Sequence, residues 1–132
     1  MKAFLLYIWQ LPQHLLGCFL VKVYKLTEVI LRNEHVWVRK ELGFGVSLGK
    51  YILLPVGSSR MTVMHERGHS LQSLYLGPLY LFTVGIASAV FCNLWDQVFH
   101  RKWSPDEREK WYYARWPENW ADRLGGVDRS GK

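Results

Sequence analysis

Two long runs of the chain carry no Asp, Glu, Lys or Arg, residues 3–21 and residues 70–95, and every charge falls outside them. The first run, AFLLYIWQLPQHLLGCFLV, would extend roughly 28 Å as a helix at 1.5 Å per residue, close to the hydrocarbon thickness of a bilayer. Lys2 precedes it and Lys22 and Lys25 follow it as flanking anchors, so a membrane helix is expected over 3–21. Gln10, Gln13 and His14 interrupt its apolar surface and Pro12 predicts a kink, which gives the helix one face for protein rather than lipid. Leu-Leu-Gly-Cys at 15–18 faintly matches a lipoprotein processing site. A single Lys before a run broken by Trp, Gln, Pro and His disfavours a cleaved signal.

The second run, SLQSLYLGPLYLFTVGIASAVFCNLW, is also long enough to span, with natural breaks at Gly77-Pro78 and Gly85. Eight basic residues lie between the runs (Lys22, Lys25, Arg32, Arg39, Lys40, Lys50, Arg60, Arg67) and eight follow the second (Arg101, Lys102, Arg108, Lys110, Arg115, Arg123, Arg129, Lys132). That balance gives no preference for placing the two regions on opposite sides of a membrane. Residues 78–99 are therefore expected to fold back as a re-entrant helix or to lie in a helical core. Trp95, Trp103, Trp111, Trp116 and Trp120 suit either an interface or ordinary helix packing.

Between the runs the period changes. In residues 34–56, His35 to Arg39 alternates, Gly43 and Gly45 punctuate, Gly49-Lys50 can turn, and Tyr51 to Val56 is a short apolar run, which predicts two or three short antiparallel strands. Ser58-Ser59 supplies N-cap chemistry for a helix over 60–76, ended by Gly77-Pro78. Ser104-Pro105-Asp106-Glu107 is a capping box that starts a helix running to about 115, and a second short helix is expected from Pro117 to Leu124, closed by Gly125-Gly126. Residues 127–132 read as a frayed tail.

The chain has 132 residues, enough for one domain, with 17 Lys and Arg against 11 Asp and Glu, a net charge of +6 and a mean hydropathy of −0.08. The average conceals the segregation of charge, which argues against both an ordinary soluble globule and a disordered chain. Cys18 and Cys92, one in each apolar run, read as small buried hydrophobes, compatible with a reducing compartment. The excess of positive charge is spread over two flanks without a stacking platform, which argues against nucleic-acid binding.

One motif carries chemistry. His65-Glu66-Arg67-Gly68-His69 fits H-E-x-x-H inside the helix expected at 60–76, so both imidazoles project to one face and can bind one zinc ion, with Glu66 beside it to take a proton from zinc-bound water. Chance supplies roughly 0.01 such matches in a chain of this composition. The bland alternative has both histidines on a polar helix face with Glu66 solvated. A third ligand is offered by Glu118-Asn119-Trp120-Ala121-Asp122: Glu118 can coordinate while Asp122, one turn on, accepts a hydrogen bond from the far nitrogen of a ligating histidine. Read blandly, this is a solvated acidic face with Glu118 favoured by the helix dipole.

HERGH at 65–69 followed by ENWAD at 118–122 resembles the gluzincin metallopeptidases, most similarly their membrane members, the HtpX and CAAX-prenyl-protease branch or the beta-lactam sensor peptidases. The resemblance covers the two motifs and their order; one apolar run separates them here where HtpX-like proteins have two transmembrane helices. It implies zinc held by His65, His69 and Glu118, Glu66 as general base, Asp122 behind a ligand, and an edge strand from residues 34–56 that binds extended substrate by strand addition. Tyr112, Tyr113, His100 and Arg123 are candidates to stabilise the transition state. The expectation is a mostly α membrane protein with a small antiparallel β element, its zincin-like motif helix packed in a compact helical bundle. It would act as a zinc endopeptidase on a peptide or membrane-protein substrate, with the site facing the cytoplasm or near the membrane surface. The alternative is a non-catalytic, zinc-stabilised membrane scaffold. No feature of the sequence specifies an oligomeric state.

Overall fold

In the computed structural model, which describes residues 2–31 and 33–130, the first apolar run forms two helices, α1 (Lys2–Trp9) and α2 (Leu11–Val23), bent by 76° at Gln10. Pro12 sits in the first turn of α2, where its missing N–H costs no helical hydrogen bond, so the break falls just ahead of it. The polarity of the pair is inverted. Gln10, Gln13, His14 and Gly17 are buried, whereas Leu5, Leu6, Ile8, Trp9, Leu15, Leu16 and Phe19 are exposed.

Four strands follow: β1 (Thr27–Leu31), β2 (Glu34–Arg39), β3 (Val46–Leu48) and β4 (Tyr51–Pro55), in the sheet order β1-β2-β4-β3. β1 and β2 are antiparallel with Val29 opposite Val36, β3 and β4 are antiparallel with Ser47 opposite Ile52, and β2 runs parallel to β4 with Val36 opposite Ile52. The sheet is therefore mixed, which corrects the antiparallel expectation, and β1 adds a strand outside the expected 34–56. The physical reason lies in β4. Ile52, Leu53 and Leu54 are all buried, a continuous apolar run that needs cover on both faces and so takes a central place between β2 and β3. Ile52 and Leu54 pack with Val36 and Val63 on one face; Leu53 packs with Leu26 and Leu42, and with Leu20 and Val21 of α2, on the other. Gly49, with φ of +65°, makes the two-residue turn between β3 and β4.

Helix α3 (Arg60–Leu76) starts at Ser59, whose hydroxyl accepts a hydrogen bond from the Thr62 N–H at 3.2 Å, and ends at Gly77 with φ of +56°. It lies between the sheet and the C-terminal helix α6, so the motif helix is not enclosed in a helical bundle as the sequence suggested. The second apolar run is divided: residues 70–76 complete α3, and after the Gly77-Pro78 turn the rest forms α4 (Leu81–Phe99), most of it wound with hydrogen bonds to the fifth residue back, as between Gly85 N–H and the Tyr80 carbonyl at 2.9 Å. Gly77-Pro78 breaks the chain, but Gly85 does not. Nor does α4 fold back within itself: the reversal comes after it, at residues 100–104. Val84 and Cys92 on its inner side are buried and Ser88 between them is half-buried, while Phe82, Ile86, Val90, Phe91, Leu94 and Val98 are exposed.

Helix α5 (Pro105–Tyr113) carries the full capping box, with the Glu107 N–H donating to Ser104 Oγ at 3.2 Å and the Ser104 N–H to Glu107 Oε2 at 2.8 Å. Helix α6 (Glu118–Gly125) closes at Gly126, φ +72°. The tail is tied down where the sequence suggested fraying: Arg129 donates to Asp122 Oδ2 at 2.7 Å and Oδ1 at 3.0 Å. Residues 131 and 132 of that tail, and Arg32 and Lys132 of the basic flanks, lie outside the described residues.

Candidate metal centre

His65, His69 and Gln72 fall at i, i+4 and i+7 of α3 and share the face that meets α6. The two helices touch backbone to backbone. A Cβ on Gly68 would stand 1.8 Å from the Ala121 carbonyl oxygen, and one on Gly125 would stand 1.9 Å from the Met64 carbonyl oxygen. Only glycine at both places permits this approach, and the approach brings Glu118 and Asp122, one turn apart on α6, onto the imidazoles.

The resulting cluster is buried, with Glu118 0%, His65 3% and His69 5% exposed. Glu118 Oε2 lies 2.8 Å from His65 Nε2 and 2.9 Å from His69 Nε2, and one ligand atom from each of the three residues falls within 4.8 Å of the others. On their far sides His65 Nδ1 meets Asp122 Oδ1 and His69 Nδ1 meets Gln72 Oε1, both at 2.7 Å. Gln72 is oriented by its own Nε2 donating to the Pro117 carbonyl at 3.0 Å, so its oxygen faces the histidine. Acceptors at both Nδ1 atoms fix the tautomer in which each Nε2 presents a lone pair inward. The residues thus fit a divalent cation: two imidazole nitrogens and one carboxylate oxygen converge, one donor short of the four that zinc takes.

The same geometry governs protonation when no cation intervenes. Burial disfavours the His65 imidazolium, but hydrogen bonds to Asp122 and Glu118 and the charge of Glu66 outweigh it and lift the group to about 9. His69 is raised as well, with burial again opposed by Glu118 and Glu66. For Glu118, burial favours the neutral acid, yet the two histidines hold its carboxyl well below the usual carboxylate range. A cation bound there would compete with protons for the same inward lone pairs.

Glu66 also lies in α3, and its carboxylate points toward the sheet. Ser47 Oγ on β3 is 2.9 Å from Glu66 Oε2 and 2.6 Å from the Glu66 carbonyl oxygen. A Cβ on Gly45 would come within 3.2 Å of Glu66 Oε1 and 2.9 Å of Leu54, so the backbone before β3 closes over the carboxylate only because that residue is glycine. β3 is an edge of the sheet, which places a terminal strand alongside Glu66.

Of the four electrophile candidates, two are near. The Tyr113 ring meets His65 edge-on at 5.0 Å, and the Tyr112 hydroxyl accepts a hydrogen bond from Asn93 Nδ2 at 3.0 Å. Burial, then the Glu118 charge, keeps the Tyr112 phenol protonated far above its ordinary range, so it is a donor at any working pH. His100 is remote, held by Asp96 at 3.0 Å and stacked on Trp103 at 3.7 Å, and Arg123 is exposed on α6.

Four contributors escaped sequence reasoning: Ser47, Gln72, Ser88 and Arg129. Ser88 Oγ on α4 donates to Glu118 Oε1. Arg129 holds Asp122 from behind while its guanidinium lies 3.4 Å over the Tyr113 ring. Gln72, at i+3 from His69, was the one with a local signal; the others come from distant elements and carry no motif. Compared with protein-family models, with curated proteins and with solved structures, the chain matches none.

Proposed function

We propose that the chain is a membrane-associated, zinc-dependent endopeptidase. The observation that carries this reading is the convergence of His65, His69 and Glu118 donor atoms beside the carboxylate-bearing Glu66. The donor set suits zinc, and three protein ligands with one open position are the mark of a catalytic rather than a structural site. Zinc held by His65, His69 and Glu118 would supply Lewis acidity to a scissile carbonyl. Glu66, held by Ser47, would take a proton from the attacking water and deliver it to the leaving amine. Asp122 and Gln72 keep the two imidazoles in the ligating tautomer, and Arg129 keeps Asp122 ionised and in place. β3 is an edge strand beside Glu66, but its Ser47 carbonyl already accepts from the Tyr80 hydroxyl at 2.8 Å, so an extended peptide could add there only if that bond opened.

The exposed apolar faces of α1, α2 and α4 support the membrane setting. α2 buries Gln13, His14 and Gly17 while Leu15, Leu16 and Phe19 face out, α1 buries nothing, and α4 leaves Phe82, Ile86, Val90, Phe91, Leu94 and Val98 exposed, as is favourable when the surroundings are lipid. Among the described residues, α4 alone is long and apolar enough to cross a bilayer unbent.

A second reading is favoured by the ion pairs themselves. The cluster is satisfied without metal when both histidines are protonated, so it also suits a non-catalytic scaffold. The two part at Glu66→Gln, assayed on a fluorogenic peptide library in detergent. An enzyme keeps its zinc and loses turnover about 10²–10⁴-fold, the usual contribution of a general base. Undiminished turnover in the variant, or no chelator-sensitive cleavage by the wild type, contradicts the proposal.

A further inference from the structure

We infer that Ser88 is a positioning residue for the third metal ligand, an assignment that rests on the metal-site reading above. Glu118 has two oxygens and no exposed surface. Oε2 faces both imidazole nitrogens at 2.8 and 2.9 Å, whereas Oε1 receives the Ser88 hydroxyl. Water has no access to Oε1, so this hydroxyl is what satisfies it and keeps it turned away from the ligand cluster. The carboxylate is thereby held to offer a single oxygen.

Ser88 is itself fixed from both directions along α4. Two turns before it, the Tyr80 hydroxyl donates to the Ser47 carbonyl at 2.8 Å, tying the start of the helix to the strand that holds Glu66. One turn after it, Asn93 Nδ2 donates to the Ser88 carbonyl at 3.2 Å and to the Tyr112 hydroxyl at 3.0 Å, tying the helix to α5. The wide winding of α4 spans these anchors, and local widening of this kind recurs at functional sites. An apolar helix thus contributes one hydroxyl to the centre while its outer face stays apolar.

Cobalt(II) in place of zinc reads the consequence directly, because four-coordinate cobalt absorbs visible light much more strongly than five-coordinate cobalt. The wild type in detergent should take up one cobalt with the strong four-coordinate spectrum. In Ser88→Ala, Oε1 is freed to bind as well, so the bands should weaken toward a five-coordinate pattern and affinity should fall about 10–100-fold, as for other residues that orient a ligand. Ser88→Thr should restore both. Thr83→Ala removes a hydroxyl of the same helix that bonds only the Leu79 carbonyl, and should leave the spectrum unchanged. Should Ser88→Ala lose the far-UV circular dichroism of the wild type before loading, Ser88→Thr carries the test, and a five-coordinate spectrum there overturns the assignment. A folded Ser88→Ala variant with wild-type spectrum and affinity also overturns it. A wild type that takes up no cobalt instead overturns the metal site on which it rests.

Discussion

At the scale of single residues, the proposed centre would set protons against a cation for three inward lone pairs, and pH would separate the two occupants. Without metal, the His65 contribution is complete below the imidazole's ordinary value of 6.5 and is lost as pH rises through about 9. The Glu118 contribution is complete above the ordinary carboxylate value of 4.5 and is lost only as pH falls through its depressed one. Metal-free protein in chelator should therefore be most stable between those ordinary values, and the His65 shift alone is worth about 3 kcal/mol by the time pH exceeds its raised value. Zinc affinity should run the other way and rise with pH across the same range, because the bound protons must leave. Thermal melts and zinc titrations at about pH 6 and about pH 10 check both signs; a metal-free melting temperature that climbs with pH would contradict the account. The pairing of His65 with His69 and of Glu118 with Asp122 was legible in the sequence because each pair is one helical turn apart, and Glu66 was legible from its place between the two histidines. Ser47, Ser88 and Arg129 were not, since a lone hydroxyl or guanidinium acquires its role only from what a distant element brings beside it.

Among the elements, the α3–α6 crossing decides whether a third ligand exists at all. Gly68→Ala drives a methyl into the Ala121 carbonyl, so it should cost about 3 kcal/mol or more and abolish metal retention, and Gly125→Ala should behave alike against Met64. Gly43→Ala meets nothing within 4 Å and should leave both stability and metal content unchanged, within about 0.5 kcal/mol. Denaturant unfolding and metal analysis of the three variants check this, and a Gly68→Ala protein that binds zinc normally would refute the close crossing. Helix starts were readable because Ser59 and Ser104 act through the N–H three residues on, a purely local bond. The parallel pairing of β2 with β4 was hidden, because it follows from which strand needs cover on both faces rather than from any turn signal. Gly85, by contrast, is only a weak local breaker, and it keeps a helical hydrogen bond from its N–H to the Tyr80 carbonyl at 2.9 Å.

For the whole molecule, large apolar groups face out from α1, α2 and α4 while α2 buries Gln13 and His14, an arrangement that water does not favour and lipid would. The protein should float with liposomes of neutral lipid, and the association should persist in about 1 M salt, where screening confines electrostatic attraction to about 3 Å. Replacing Phe82 and Phe91 on the bare face of α4 with Asp should release it; wild-type protein that stays in the aqueous fraction without detergent would contradict the membrane setting. The segregation of charge made the apolar runs visible in the sequence, and Pro12 with Gln10, Gln13 and His14 pointed to a kink and a protein-facing side; the size of the bend, 76°, and the partners Ser73 and Gly77 that meet Gln10 and Gln13 were not legible. All of these features serve one claim, that residues on α3 and α6 close on a single divalent cation. Metal analysis by mass spectrometry on detergent-purified protein, wild type beside Glu118→Ala, tests it most directly. The account predicts one zinc per wild-type chain and a sharp loss in the variant. Metal-free wild type after zinc reconstitution, or a variant that keeps its full complement, would contradict it.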